Sequence, residues 1–205
     1  MRGWLHAAAV PLVLLAGLVV VPAARAGVPR LGAAVFVACA LVLFAVSATN
    51  HRGGWSPRVH TLLVRADHAC IFVLIAGTYT PFALLADGVA RPLLLAVAWG
   101  GAAVGIAFRL LWPTAPRWVC TPLYLGLGWA AIPFAKTLGE HTGPAVLALV
   151  ALGGLLYTVG GVVYGLQRPN PFPRHFGFHE VFHALTLLAF SAHLAGVTIA
   201  TATAH

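Results

Sequence analysis

Charge is what this sequence has least of. Only four of its 205 residues are acidic and 8% are charged in all, against roughly 25% in a soluble domain. That scarcity, with 60% hydrophobic residues and a mean hydropathy of +0.93, excludes a soluble globular domain and implies an integral membrane protein. Cysteine is scarce too. Cys39, Cys70 and Cys120 form no C-x-x-C pair and lie in or beside apolar segments, so they read as small buried hydrophobes and not as a disulfide or thiolate site. No basic run is interleaved with aromatics on a polar face, which argues against nucleic acid as a partner. The net charge of +8 reads instead as loop arginines facing anionic lipid. Internal repeats, linkers and low-complexity tails are absent, so residues 1–205 read as one domain.

What is present is one apolar run after another. A spanning helix needs about 20 mainly apolar residues, and such segments lie near 4–23, 31–49, 68–86, 92–111, 118–137, 144–166 and 178–200. The fold class is therefore all-α, a polytopic bundle of seven transmembrane helices. Met1 to Gly27 also carries the pattern of a cleavable secretory signal: a basic residue, an apolar run and Ala24-Arg25-Ala26 before Gly27. The further helices behind it, and His6 within it, favour a retained first helix.

Basic residues set the orientation. With the first helix retained, one side holds Arg2, Arg52, Arg58, Arg65, Arg109, Arg117, Arg168 and Arg174, and the other Arg25, Arg30, Arg91 and Lys136. The richer side is expected in the cytoplasm, with the N-terminus inside and the C-terminus outside a plasma (inner) membrane. Ser47 and His51 then close the second helix on the cytoplasmic side. Asp67 and His68 open the third there, and His179, Glu180 and His183 lie in the first two turns of the seventh. Ionisable groups at membrane depth are costly and mark functional candidates.

His179 and His183 stand at i and i+4, on one face of a helix. With His51 at the same depth they make a three-histidine site. Imidazole suits Zn2+, and a catalytic zinc keeps three protein ligands and an open position. The competing reading of the pair is two interfacial residues at a helix end. Ser47, one turn before His51, could hydrogen-bond a reacting oxygen. Asp67 could hold a water or orient a ligand. The letters His179-Glu180-Val181-Phe182-His183 also fit H-E-x-x-H, with Glu180 as a metalloprotease base. That reading lacks a third ligand: the Asp87-Gly88 pair falls at the opposite face, roughly 30 Å away.

His193, ten residues past His183, lies about 15 Å deeper along a helix and reads as a hydrogen-bonding residue of the bundle core. His60, His141, His175 and His205 read as ordinary loop or terminal residues. His68 borders the site but points about 100° away from Asp67. Ala76-Gly77-Thr78-Tyr79-Thr80-Pro81 reads as a packing segment with a proline kink. Gly100, Gly101, Gly105, Gly153, Gly154, Gly160 and Gly161 also read as packing glycines.

Taken together, Ser47-x-x-x-His51, Asp67-His68, Ala76 to Pro81 and His179-x-x-x-His183 followed by His193 resemble, in order and over nearly the whole chain, the haemolysin III family of the progestin and adipoQ receptor group. His6 takes the place of that family's first-helix histidine, while the acidic stretch before it is absent. The resemblance implies seven helices and a zinc ion near the cytoplasmic side held by His51, His179 and His183, with Ser47 and Asp67 close by. Eukaryotic relatives are hormone-linked receptors with reported ceramidase activity, and bacterial ones are named for cytolysis. Hormone binding is not implied here, because no extracellular binding element is visible. The leading expectation is a zinc-dependent hydrolase of a lipid amide or ester, with Asp67 and Ser47 as catalytic residues and membrane lipids as substrate. The alternative is a non-enzymatic receptor-like or cytolytic protein in which zinc is structural.

Overall fold

The computed structural model describes residues 3–172 and 174–204; Arg2 and His205, which entered the reading above, lie outside them. Among the described residues, seven helices are long and apolar enough to cross a membrane: α1 Trp4–Ala23, α2 Val28–Arg52, α3 Pro57–Leu85, α4 Ala90–Leu111, α5 Arg117–Thr142, α6 Pro144–Leu166 and α7 Phe178–Thr203. Turn chemistry separates them. Gly53 and Gly54 follow α2, Pro57 opens α3, and Gly143 with φ 85° precedes Pro144 at the start of α6. Proline suits the first helical position, where the missing N–H would have no partner.

Four helices lie largely outside and three inside. The apolar windows of α2, α3 and α7 are 50%, 56% and 50% buried, whereas that of α5 is only 11% buried. The leucines and valines that α1, α4, α5 and α6 leave exposed face what would be lipid. Lipid tails are as apolar as leucine, so close packing and interhelical hydrogen bonds must hold such a bundle together. At Gly77 on α3 a Cβ would stand 2.6 Å from Cys39 Cβ on α2, so only glycine allows that approach. Phe36 stacks on Phe190 with ring centroids 5.2 Å apart, and Phe44 meets the same ring edge-on at 5.3 Å. Each such pair is worth about 0.5–1.5 kcal/mol beyond its buried area.

Two elements differ from the sequence reading. The third helix begins at Pro57, not near residue 68. Its first turns carry Arg58, His60 and Thr61 and run past the end of α2, exposed, so an apolar window misses them. Accordingly, His60 is helical, as is His141 in the last turn of α5, and neither is a loop residue. The fifth helix is interrupted: it stops at Trp129, passes through a tight 3-10 turn at Ile132–Phe134 and resumes at Ala135. Pro133 has no N–H with which to continue the ladder. The Tyr79 hydroxyl fills the gap. It donates to Leu127 O at 2.7 Å and accepts the Ala131 N–H at 2.9 Å. The Ala76 to Pro81 segment is thus a packing segment, with Trp99 Nε1 donating to Thr80 Oγ1 at 3.1 Å as a further cross-helix bond.

Candidate metal centre

The three inner helices meet at the end of the bundle where α2 stops and α7 starts. Glu180 builds that start. Its carboxylate accepts the Gly177 N–H at 2.9 Å, and Asn170 Oδ1 accepts the Phe178 N–H at 3.1 Å. Two otherwise unbonded donors of the first turn are satisfied in this way. The glutamate of the H-E-x-x-H letters is therefore buried as a helix cap, and its carboxylate is turned back along the chain.

On the next turn His179 and His183 stand side by side, ring centroids 4.4 Å apart. His51, in the last turn of α2, faces both. Its Nε2 lies 3.2 Å from His179 Nε2, and its ring centroid 5.3 Å from that of His183. One nitrogen from each of the three falls within 4.8 Å of the others, so the group could hold a metal ion. Two nitrogens bound to one tetrahedral ion at ~2.0–2.1 Å stand about 3.3 Å apart, close to the 3.2 Å between His51 and His179. Two imidazole nitrogens pointed at each other suit a shared cation: at most one N–H can lie between them. The donor set therefore suits a metal ion that takes imidazole nitrogen.

Asp67 lies beside this group, Oδ2 3.6 Å from His51 Nε2. It is held by Asn50, whose Nδ2 donates to the same oxygen at 3.0 Å. Ser47 is buried, and its hydroxyl pairs with His6 Nδ1 from α1 at 2.8 Å. The His6 ring lies flat on that of His183, centroids 3.8 Å apart and planes 4° apart. The sequence does not single out Asn50, which has only its place next to His51; it marks His6 as standing where the related family has its first-helix histidine, with no role at the site.

His68 lines the cavity but is held elsewhere. Its Nδ1 lies 2.7 Å from Val64 O, a carbonyl that can only accept, so Nε2 is left to take the Tyr164 hydroxyl at 3.3 Å. His193 binds within the bundle, Nε2 donating to Val150 O at 3.1 Å. At the opposite end of the bundle His141 pairs with Asp87 at 3.0 Å.

The histidines open onto a cavity of about 320 Å³, within the size range of small-molecule sites. Its walls are mainly apolar and aromatic, among them Leu43, Ile71, Tyr124, Trp129 and Phe182, and it reaches His193. The histidines and Asp67 at one end, with mainly apolar walls beyond them, suit an amphiphile.

Residues 1–194 match the family described as Haemolysin-III related. The chain is similar to the "Hemolysin-3 homolog" of Bacillus subtilis (strain 168), 33% identical over 148 residues, which cover 72% of this chain and 67% of that protein. It is 35% identical over 132 residues to the "Hemolysin-3" of Bacillus cereus, covering 64% of this chain and 58% of that protein. It is also 30% identical over 193 residues to the "Heptahelical transmembrane protein ADIPOR2" of Oryza sativa subsp. japonica, covering 84% and 83%.

Proposed function

The chain belongs to the haemolysin-III related family, and on that premise we propose that it is a zinc-dependent hydrolase of a lipid amide or ester, working within the membrane. One observation carries the reading: three convergent imidazoles with a carboxylate 3.6 Å from one of them, at the polar end of a largely apolar cavity.

His51, His179 and His183 would hold the zinc. When bound, it supplies Lewis acidity and lowers the pKa of water to about 7. Everything else falls to the chain's own residues. The acyl chain lies along the apolar walls, with its carbonyl at the histidine end. Hydrolysis adds the oxygen of water to the acyl carbon and breaks the bond to the leaving nitrogen or oxygen. Asp67 accepts the proton that water loses and returns it to the leaving group, a role a carboxylate can fill and an amide cannot. Asn50 keeps that carboxylate turned towards the site. Ser47 supplies a neutral hydroxyl for the reacting oxygen. Glu180, committed to the helix start, is no base here.

The test is hydrolysis of ceramide and of acyl esters by the purified chain. Asp67→Asn is expected to keep most of its zinc while its rate falls ~10²–10⁴-fold. An Asp67→Asn protein as active as the parent removes the proposed base.

The names of the two Bacillus relatives favour a second reading, a cytolytic protein, in which zinc would hold the bundle together. Lysis of red cells that persists in Asp67→Asn but disappears with the fold in His51→Ala favours it.

A further inference from the structure

Among the described residues, the helical hydroxyls that bind protein partners behave alike, with one exception. Thr49, Thr61, Thr78, Thr80, Thr142, Thr158, Thr186, Ser191, Thr198, Thr201 and Thr203 each donate to the carbonyl four residues earlier. That back-bond is the local default for Ser and Thr in a helix. Ser47 does not take it; its hydroxyl pairs with His6, 41 residues away on another helix.

Special packing brings His6 there. Gly3, with φ 82°, lies so close to α2 that a Cβ would stand 2.8 Å from His51 Cβ and 2.9 Å from Arg52 Cγ. The Arg52 guanidinium caps the Trp4 ring at 4.0 Å. These contacts fix the start of α1 against the last turn of α2, and one turn on His6 reaches between Ser47 and His183. His6 is 3% exposed. Phe44 meets it edge-on at 5.1 Å. Its Nε2 has no hydrogen-bond partner among the described residues, so the bond to Ser47 and the stack on His183 define its orientation.

We propose that His6 is a positioning residue of the metal centre, holding the ring plane of His183 and the hydroxyl of Ser47 in one fixed arrangement. A parallel ring 3.8 Å away blocks rotation of the His183 imidazole, and with it the direction of the lone pair that would reach the ion. Partners that orient a ligand in this way are typically worth 10–100-fold in metal affinity or activity. The first helix is thereby tied to a centre whose ligands all lie on other helices. The inference rests on the metal-centre reading and not on hydrolysis.

Two variants of the full chain in detergent separate the ring from the hydrogen bond. His6→Gln keeps an amide to meet Ser47 but has no ring to stack; His6→Phe keeps the ring but loses the bond. Zn2+ affinity is measured against a competing chelator, with helicity and thermal melting recorded alongside. His6→Gln is expected to weaken Zn2+ about 10–100-fold with its helicity intact, and His6→Phe to stay within about threefold of the parent. If the parent hydrolyses lipid, His6→Phe lowers kcat as much as Ser47→Ala does, and the double variant lowers it no further.

Parental Zn2+ affinity in His6→Gln, or a loss of tenfold or more in His6→Phe, overturns the proposal. Should His6→Gln not fold, His6→Phe decides on the same criterion. A parent that binds zinc but hydrolyses nothing refutes the hydrolase reading and leaves the affinity measurements to decide this one. A parent that binds no zinc refutes both.

Discussion

His193 and His183 share a helix and a cavity, yet only His183 stands in the three-histidine group that could hold a metal ion. His183 lies 4.4 Å from His179, centroid to centroid, whereas His193 is ten residues on, ~15 Å along the axis, and is bonded to Val150 O. Zinc content of variants purified in parallel is expected to follow that division. His51→Ala, His179→Ala and His183→Ala each lose more than the 10–100-fold in affinity that an outer partner contributes, because two imidazoles remain where three are needed. His193→Ala keeps its zinc. Full zinc in His51→Ala together with its loss from His193→Ala would mean a centre built from other residues. The three-histidine grouping was legible in the sequence because i, i+4 spacing fixes a shared face and chain direction fixes depth. The bonds from Asn50 to Asp67 and from His6 to Ser47 were not. Each depends on how far one helix is rotated about its axis relative to another, and hydropathy patterns of nearly uniform helices do not encode that rotation.

At the scale of the element, five of the seven helices have ends within about three residues of what apolar windows indicate, and the other two show where such windows fail. Lipid exposure makes each span apolar all round, so span existence is plain from sequence. The polar first turns of α3 and the break in α5 are not, because backbone satisfied by another helix leaves no hydropathy signal. Tyr79 is the clearest case. One phenol joins α3 to the interrupted strand of hydrogen bonds at Leu127 and Ala131. Tyr79→Phe removes the hydroxyl while keeping the ring, leaving a donor and an acceptor unmet. Stability is expected to fall by about 1–3 kcal/mol, read from denaturant unfolding in detergent, with zinc content unchanged. A Tyr79→Phe chain as stable as the parent would show that the break does not depend on this hydroxyl.

For the whole molecule, the question is which way it sits. Contacts between helices assign the chain's basic residues to two ends. Trp4 meets Arg52 at 4.0 Å, and Arg117 lies over the rings of Tyr164 and Phe178 at 4.8 and 5.6 Å, so the start of α1, the end of α2, the starts of α5 and α7 and the end of α6 share the histidine end. At the other end the Arg25 side chain and backbone N–H donate to Ala204 and Thr201. The histidine end carries Arg52, Arg58, Arg65, Arg109, Arg117, Arg168 and Arg174; the far end carries Arg25, Arg30, Arg91 and Lys136. Basic residues in short loops are retained on the cytoplasmic side, where anionic lipid attracts each by about 1 kcal/mol. The metal centre is therefore expected at the cytoplasmic face, within reach of lipid head groups from that leaflet. A reporter fused to the C-terminal end should be active only outside the cytoplasm, and a cysteine introduced at Gly54, in the turn after α2, should be labelled by an impermeant reagent only once the membrane is opened. Labelling of Gly54→Cys in intact cells would invert the molecule and move the proposed chemistry to the opposite leaflet.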